Sequence, residues 1–464
     1  MTGRDLDLVV VGGGIAGLAA AWAARRRGAE VVVLEAGDQV GGKLRTSPVA
    51  GVPLDESADG FLARVPEAVE LCRAVGLEAE LVSPATGAAY VWSEGALRRL
   101  PSEQLLGVPT DVDSVASSRI LSPAGLARLR EDLDRPDDRP DGDADEALGA
   151  LIRRRLGDEV LDKLVAPLVG GIWAADCDAL SLRVATPQLA EARRRDPSLV
   201  RGAALLRAAA PAAAAGEEAP PVFLAPRGGM GQLVEALRDR LGDAVRVGTP
   251  VDALDRRDGR WHVAPHGISA DAVVVATPAG VTAKLVGPHA AEAGALLADV
   301  GYSSVALVAL AVPRDGIERD LDGSGYLVPP SEGRLLTACS WSSEKWPHLA
   351  LGLDPSLVLV RASAGRAGDE RALALDDDAL VAALLDDLRT TMGLRGTPVD
   401  VRVTRWNDSF PQPRPGHVDR VEVVRSDLAA HAPGLAAAGS WVDGVGIPAC
   451  IRSAQRAVAT VLDP

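Results

Sequence analysis

Residues 8–35 read LVVVGGGIAGLAAAWAARRRGAEVVVLE, and this stretch decides the fold. Leu8 to Val11 is a short apolar, β-branched run of the kind that forms a central parallel strand. Gly12, Gly13, Gly14, Ile15, Ala16 and Gly17 follow with G-x-G-x-x-G spacing. A helix-forming run then extends from Leu18 to Arg27, closed by Gly28, and a second apolar run, Val31 to Leu34, ends at Glu35. Gly12 permits the tight turn, Gly14 lets the backbone approach a pyrophosphate, and Gly17 lets the helix pack close to the strand. The helix start offers free N–H groups and a positive dipole end to phosphates. Glu35, at the end of the second strand, is placed to accept hydrogen bonds from a ribose diol, which suits FAD or NAD and disfavours NADP.

Gly41-Gly42-Lys43-Leu44-Arg45-Thr46 comes soon after the acid. This second glycine pair resembles the extended signature of the flavin amine-oxidase superfamily. The resemblance selects FAD and gives Gly42, Lys43 and Arg45 to the pyrophosphate and ribityl chain, with Lys43 or Arg45 as the cation.

Composition narrows the remaining classes. The chain has 464 residues, which predicts two or three domains. A formal net charge of −15 argues against nucleic acid and against general attraction to anionic lipid. No apolar run is long enough for a bilayer span. Acidic residues precede the N-terminal apolar run and no cleavage-type segment follows it, so a buried strand is expected there rather than a signal peptide. Cys72, Cys177, Cys339 and Cys450 are scattered, without CxxC or His/Cys clusters. Neither a metal site nor a disulfide framework is expected, and a reducing cytoplasm fits best.

Further along, a helix is expected from Pro66 to Val75 and a hairpin from Tyr90-Val91-Trp92 with Leu97 to Pro101. Residues 109–155 read as helical and charged, with an acidic loop, DLDRPDDRPDGDADE, and residues 202–216 are Ala-rich, as helix or linker. A helix from Gln232 to Leu241 and a strand near Val245 to Val247 and Pro250-Val251 resume the dinucleotide fold. Further strands are expected from Asp271 to Thr277, from Ser304 to Val312 and from Leu357 to Arg361, and a terminal helix follows Gly444 to Pro448. The reading is α/β (α+β overall): a discontinuous Rossmann-like FAD-binding domain (1–60, 216–295, 405–464), an inserted mixed-sheet substrate domain (61–100, 296–404) and a mostly helical subdomain (101–215).

The segments ADGFLARVPEAVEL, VAPLVGGIWAADCDALSLRVATPQL, PRGGMGQLVEAL, SSEKWP, RWNDSFPQPRPGH and GVGIPACIRS carry a second resemblance along nearly the whole chain. They resemble the oxygen-dependent protoporphyrinogen/coproporphyrinogen oxidases of haem biosynthesis, in their Gram-positive form. The resemblance implies that Val251 meets the adenine end of FAD and that Trp406, Val445, Gly446 and Ile447 lie near the flavin ring. Ala36, Asp59, Gly60 and Ser440 join the cofactor set. It implies that Gly171 lies against the tetrapyrrole, that Trp341 forms an aromatic wall over it, and that Tyr326 and Leu327 line the same cavity. Ala88-Ala89 stand where plant members carry a propionate-pairing arginine, which leaves Arg64, Arg183 and Lys345 as the candidate cations.

The implied chemistry is a six-electron oxidation of coproporphyrinogen III in three flavin cycles, with molecular oxygen reoxidising the flavin and releasing hydrogen peroxide. The hard chemistry belongs to the cofactor, and no catalytic side chain, metal ligand or general base stands out. Protoporphyrinogen IX is the alternative substrate. An amine oxidase, a carotenoid desaturase and a non-catalytic flavin-binding homologue are the other readings. The expected location is cytoplasmic, with no membrane insertion but transient docking, and a haem-pathway ferrochelatase is the expected transient partner.

Overall fold

The structure, a computed structural model, describes residues 6–138, 144–209 and 220–463. The first five residues, the middle of the acidic loop (139–143) and the end of the Ala-rich stretch (210–216) lie outside the described residues. The glycine motif sits where expected: β1 (Leu6–Val11) leads through it into α1 (Ile15–Arg26), and β2 (Val31–Leu34) returns parallel to β1. β1 also pairs in parallel with Ile268–Val275, which pairs in parallel with Leu435–Ala437, while Val245–Arg246 extends the sheet beyond β2. An antiparallel meander, Ala253–Arg257 and Arg260–Ala264, closes its far edge. Leu8, Val9 and Val10 are wholly inaccessible because helices cover both faces of the sheet. Three widely separated segments therefore build one nucleotide fold. Pro250-Val251, expected as strand, is irregular, following a bend at Val247-Gly248, and Asp252 N–H donates to the Ala264 carbonyl.

A second sheet has seven strands, in the order Asp400–Pro411, Tyr302–Pro313, Leu357–Ala364, Leu336–Trp341, Gly325–Leu327, Tyr90–Ser93 and Ala96–Arg99. Alternate residues of Tyr302–Pro313, among them Val308, Leu310 and Val312, pack with Leu380, Leu384 and Leu388 of the helix Asp377–Met392. The structure divides the chain differently from the sequence reading at two points. Residues 61–82 go with the nucleotide fold, since Phe61-Leu62 and Leu81-Val82 both pair with Phe223–Pro226, and Phe61, Ala68, Leu71 and Val75 pack in the same core as α1. The boundary at 404/405 falls inside the strand Asp400–Pro411, which pairs against Tyr302–Pro313 on both sides of that boundary, with a bulge at residues 407–409.

The helical part packs Leu148, Leu151, Ile152, Leu161 and Val165 into its own core. Its polar centre is fully buried: Arg155 Nε donates to Asp132 Oδ1 at 2.6 Å, and Ser198 Oγ donates to the other carboxylate oxygen at 2.7 Å. Such a pair is stable only with its lone pairs satisfied, and the Val200 N–H completes the set. Leu161–Gly170 is wound as a π-helix, a form that is rare and concentrates at functional sites. It packs against the strand Tyr90–Ser93 of the second sheet and runs straight into Gly171, within the LVGGIW segment.

Candidate functional site

The three motif glycines meet three different environments. Gly12 has φ +102°, and a Cβ there would lie 2.7 Å from the Ala276 carbonyl oxygen. A Cβ on Gly17 would lie 1.8 Å from the Gly12 carbonyl oxygen, so α1 packs directly on the turn. A Cβ on Gly14 would meet nothing within 4 Å, because Gly14 opens onto a large cavity. α1 starts at Gly14 with no side-chain cap, and so does the C-terminal helix Ile447–Leu462 at Gly446. Two uncapped helix starts thus line one cavity, each with unpaired amides and a positive dipole end. This is a donor set that fits pyrophosphate.

The Glu35 carboxylate is fixed at the end of β2. Oε2 accepts from Gly13 N–H at 2.6 Å and Oε1 from Gly37 N–H at 2.8 Å, which orients it toward the cavity that it lines. Lys43 is half-buried, and the desolvation of its ammonium holds it below the usual lysine range. Its Nζ donates to the Ser409 carbonyl at 2.8 Å. Arg45 donates to the Gly42 carbonyl and lies 5.6 Å over the Trp406 ring. Trp406 Nε1 donates to the Glu56 carbonyl at 2.7 Å, fixing the indole at the cavity wall.

The cavity measures about 2780 Å³ and continues from the glycine motif to a chamber between the second sheet and the π-helix segment. Ile15, Ala16, Ala36, Gly42, Gly60, Val251, Ser440, Val445, Gly446 and Ile447 line it with the cofactor candidates above; Gly171, Tyr326, Leu327, Arg64 and Lys345 line it from the substrate candidates. Five of the candidate positions are off the cavity wall. Trp341 is wholly buried behind the wall, its ring 5.8 Å from Tyr90 and 6.1 Å from Tyr326, because its strand alternation points it into the sheet's helix-covered face. Arg183 is off the cavity wall; its backbone N–H donates to Asp145. Gly13 and Gly17 are packed beneath the turn. Asp59 lies behind the lining, where it accepts from Lys345 Nζ at 2.8 Å and from Trp346 Nε1 at 3.1 Å. Burial works against the Asp59 charge, but Lys345 and Arg361 outweigh it and hold the carboxyl well below its usual range. Lys345 is thereby occupied by protein.

Sequence reasoning passed over several residues of the chamber. Arg153, Arg207 and Arg366 line it but pair with Asp178, Glu103 and Asp369. Arg99 lines it opposite Tyr90 across the hairpin, with only a through-space pull on Asp322. Arg64 and Arg99 are the two exposed cavity cations, among the described residues, with neither hydrogen bond nor ion pair. The signal for Arg99 was its place at the end of the expected hairpin, facing the strand that begins after Ala88-Ala89. Cys177 and Cys450 are also on the wall, and burial pushes their thiols up to about 12 and about 11. Among the described residues no group of His, Cys, Asp and Glu could hold a metal, and no helix is long and apolar enough to cross a membrane.

Comparison with known proteins adds the lineage. Residues 15–462 match the family described as flavin containing amine oxidoreductase. The chain is 33% identical to coproporphyrinogen III oxidase of Bacillus subtilis, over 100% of this chain and 99% of that one. It is 36% identical to coproporphyrinogen III oxidase of Mycobacterium tuberculosis H37Rv, over 98% and 97% of the two chains. A crystal structure from Exiguobacterium sp. 255-15, provisionally described as a protoporphyrinogen oxidase, superposes with a TM-score of 0.86 at 31% identity, covering 99% of this chain and all of the other. With the glycine cradle, the two uncapped helix starts and the fixed acid in one cavity, these matches show that the chain belongs to the flavin-containing amine oxidoreductase family.

Proposed function

We propose that this FAD-dependent oxidoreductase converts coproporphyrinogen III to coproporphyrin III, with molecular oxygen as the final acceptor and one hydrogen peroxide released per two electrons. The observation that carries the reading is the single continuous cavity of about 2780 Å³ shared by the nucleotide motif and the chamber. A pocket for one drug-sized ligand occupies about 300–1,000 Å³, so this cavity has room for a dinucleotide and a flat macrocycle together. Full-length relatives with that activity support the choice of substrate.

The chain's own residues suit the task. Gly14, the two helix starts and Glu35 would hold the pyrophosphate and ribose; Trp406, Val445, Gly446 and Ile447 would flank the flavin ring. Bound there, the flavin supplies two-electron acceptance and reaction with oxygen. The chamber wall at Gly171 and Leu327 offers a mostly apolar surface to the macrocycle, while the Tyr326 side chain turns into the helix-covered core, its hydroxyl 2.6 Å from Thr391 Oγ1. A Cβ at Gly171 would meet nothing within 4 Å, so the backbone there is open to close approach. Arg64 and Arg99 are free to pair with substrate carboxylates. Three two-electron cycles complete the ring's aromatisation. The product is a metal-free porphyrin, so a ferrochelatase is the expected recipient, met by transient contact in the cytoplasm or at the membrane surface.

The test is aerobic turnover of the FAD-loaded protein with coproporphyrinogen III and protoporphyrinogen IX separately, following porphyrin fluorescence and peroxide. Preference for coproporphyrinogen III is expected. Preference for protoporphyrinogen IX would replace the substrate, and inertness toward both would move amine or carotenoid oxidation, or a non-catalytic role, to the front.

A further inference from the structure

The resemblance assigns no proton acceptor to this reaction, and the cavity supplies a candidate. No histidine lines the cavity among the described residues. Its carboxylates are nearly all engaged: Glu35 by amides, Asp158 and Asp178 by Arg153, Glu159 by Ser122 and Lys163, Asp162 by Ser331, and Asp443 by Arg425 and Arg456. Asp176 accepts from the amide of Asp178 in its own turn. Asp408 lines the cavity with no partner to its side chain among the described residues.

Its backbone is unusual as well. The pairing of Tyr302–Pro313 with Asp400–Pro411 slips between Ser303 and Val305, a bulge opposite residues 407–409. Asp408 there has φ +44°, a left-handed conformation uncommon for a non-glycine residue, and its N–H is pinned to Ser304 Oγ at 2.8 Å. Bulges re-aim side chains and gather beside active sites. This one lies where three parts of the site meet. Trp406, two residues earlier, packs with Val305 and with Ala174 of the chamber segment. Ser409, one residue later, accepts from Lys43 of the glycine loop. Gln412 Nε2 reaches the Trp173 carbonyl at 3.0 Å.

Resting on the functional reading above, we propose that Asp408 is the proton acceptor of the porphyrinogen oxidation. A bound flavin would take up the electron pair and hydrogen of a meso C–H bond in each cycle. The macrocycle becomes cationic, the pyrrole N–H bond breaks, and its electron pair joins the new conjugated double bond. The proton passes to the Asp408 carboxylate and from there to water. The carboxylate also stabilises the positive charge as it develops.

Stopped-flow reduction of the FAD-loaded protein by coproporphyrinogen III without oxygen tests this. Asp408→Asn should slow flavin reduction about 100-fold or more, the usual worth of a placed base. Asp408→Glu should recover most of the rate, and formate should partly rescue Asp408→Ala. Reoxidation by oxygen, the bound-flavin spectrum and the affinity of the flavin-free protein for coproporphyrin III should not change. An Asp408→Asn reduction rate within about 3-fold of wild type, or loss of bound flavin in place of slowed reduction, would overturn the assignment. A wild-type protein that neither porphyrinogen reduces would overturn the functional reading itself.

Discussion

Replacing Glu35 by glutamine isolates what its carboxylate does for the cofactor. The side chain keeps its length and one oxygen, and the retained oxygen can still accept from Gly13 N–H, where the present distance is 2.6 Å. The new amide then faces Gly37 N–H, but Gly37 is exposed and water takes its donor. The flavin-free fold should therefore lose no more than about 1.5 kcal/mol, the net worth of one neutral hydrogen bond. The cofactor loses more, because a ribose hydroxyl donating to a charged acceptor contributes about 1.5–3 kcal/mol. At 1.4 kcal/mol per tenfold, the Kd for FAD should rise about 10- to 150-fold. Titrating flavin-free protein with FAD by fluorescence quenching measures this, with a urea melt of the same sample as the stability control. A Kd within about 2-fold of wild type would refute the assignment of Glu35 to the ribose and leave it as a clamp on the glycine turn.

Arg64→Ala and Arg99→Ala should each raise KM for coproporphyrinogen III about 1.5- to 5-fold with kcat nearly unchanged, the scale of one solvent-exposed charge pair; steady-state assays at low and high salt check it, and a fall in kcat at constant KM would count against a carboxylate-binding role. Asp55 gives a pH prediction. Burial, ahead of opposing hydrogen bonds from Thr46 and Met230, pushes its carboxyl up to about 6 from 3.8. The folded state therefore holds the proton more tightly, so this contribution is full below pH ~4 and is lost as pH rises through ~6. Asp55→Asn should flatten the stability of the flavin-free protein across that window, by about 3 kcal/mol for a two-unit shift; urea melts from pH 4 to 8 read it, and an unchanged slope would refute it.

The sequence by itself determined the nucleotide fold. The order of strand, glycines, helix, strand and acid in residues 8–35 is local, and its physics is local too: a positive φ at Gly12, no room for a Cβ at Gly17 and open space at Gly14 follow from chain geometry within one βαβ unit. The helix Pro66–Val75 and the Tyr90 hairpin were legible for the same reason, through period and turn residues. What only the tertiary structure decided is which charges are already spent. Lys345 looked like a free cation until Asp59, nearly three hundred residues earlier, was found beside it, and nothing in the sequence singled out Arg99 or Asp408 before the other cavity cations and acids proved engaged. Trp341 looked like a wall residue, yet one step of strand alternation carries it to the far face of the sheet. Pairing, burial and the side on which a residue falls depend on contacts between distant segments, and no local pattern encodes them.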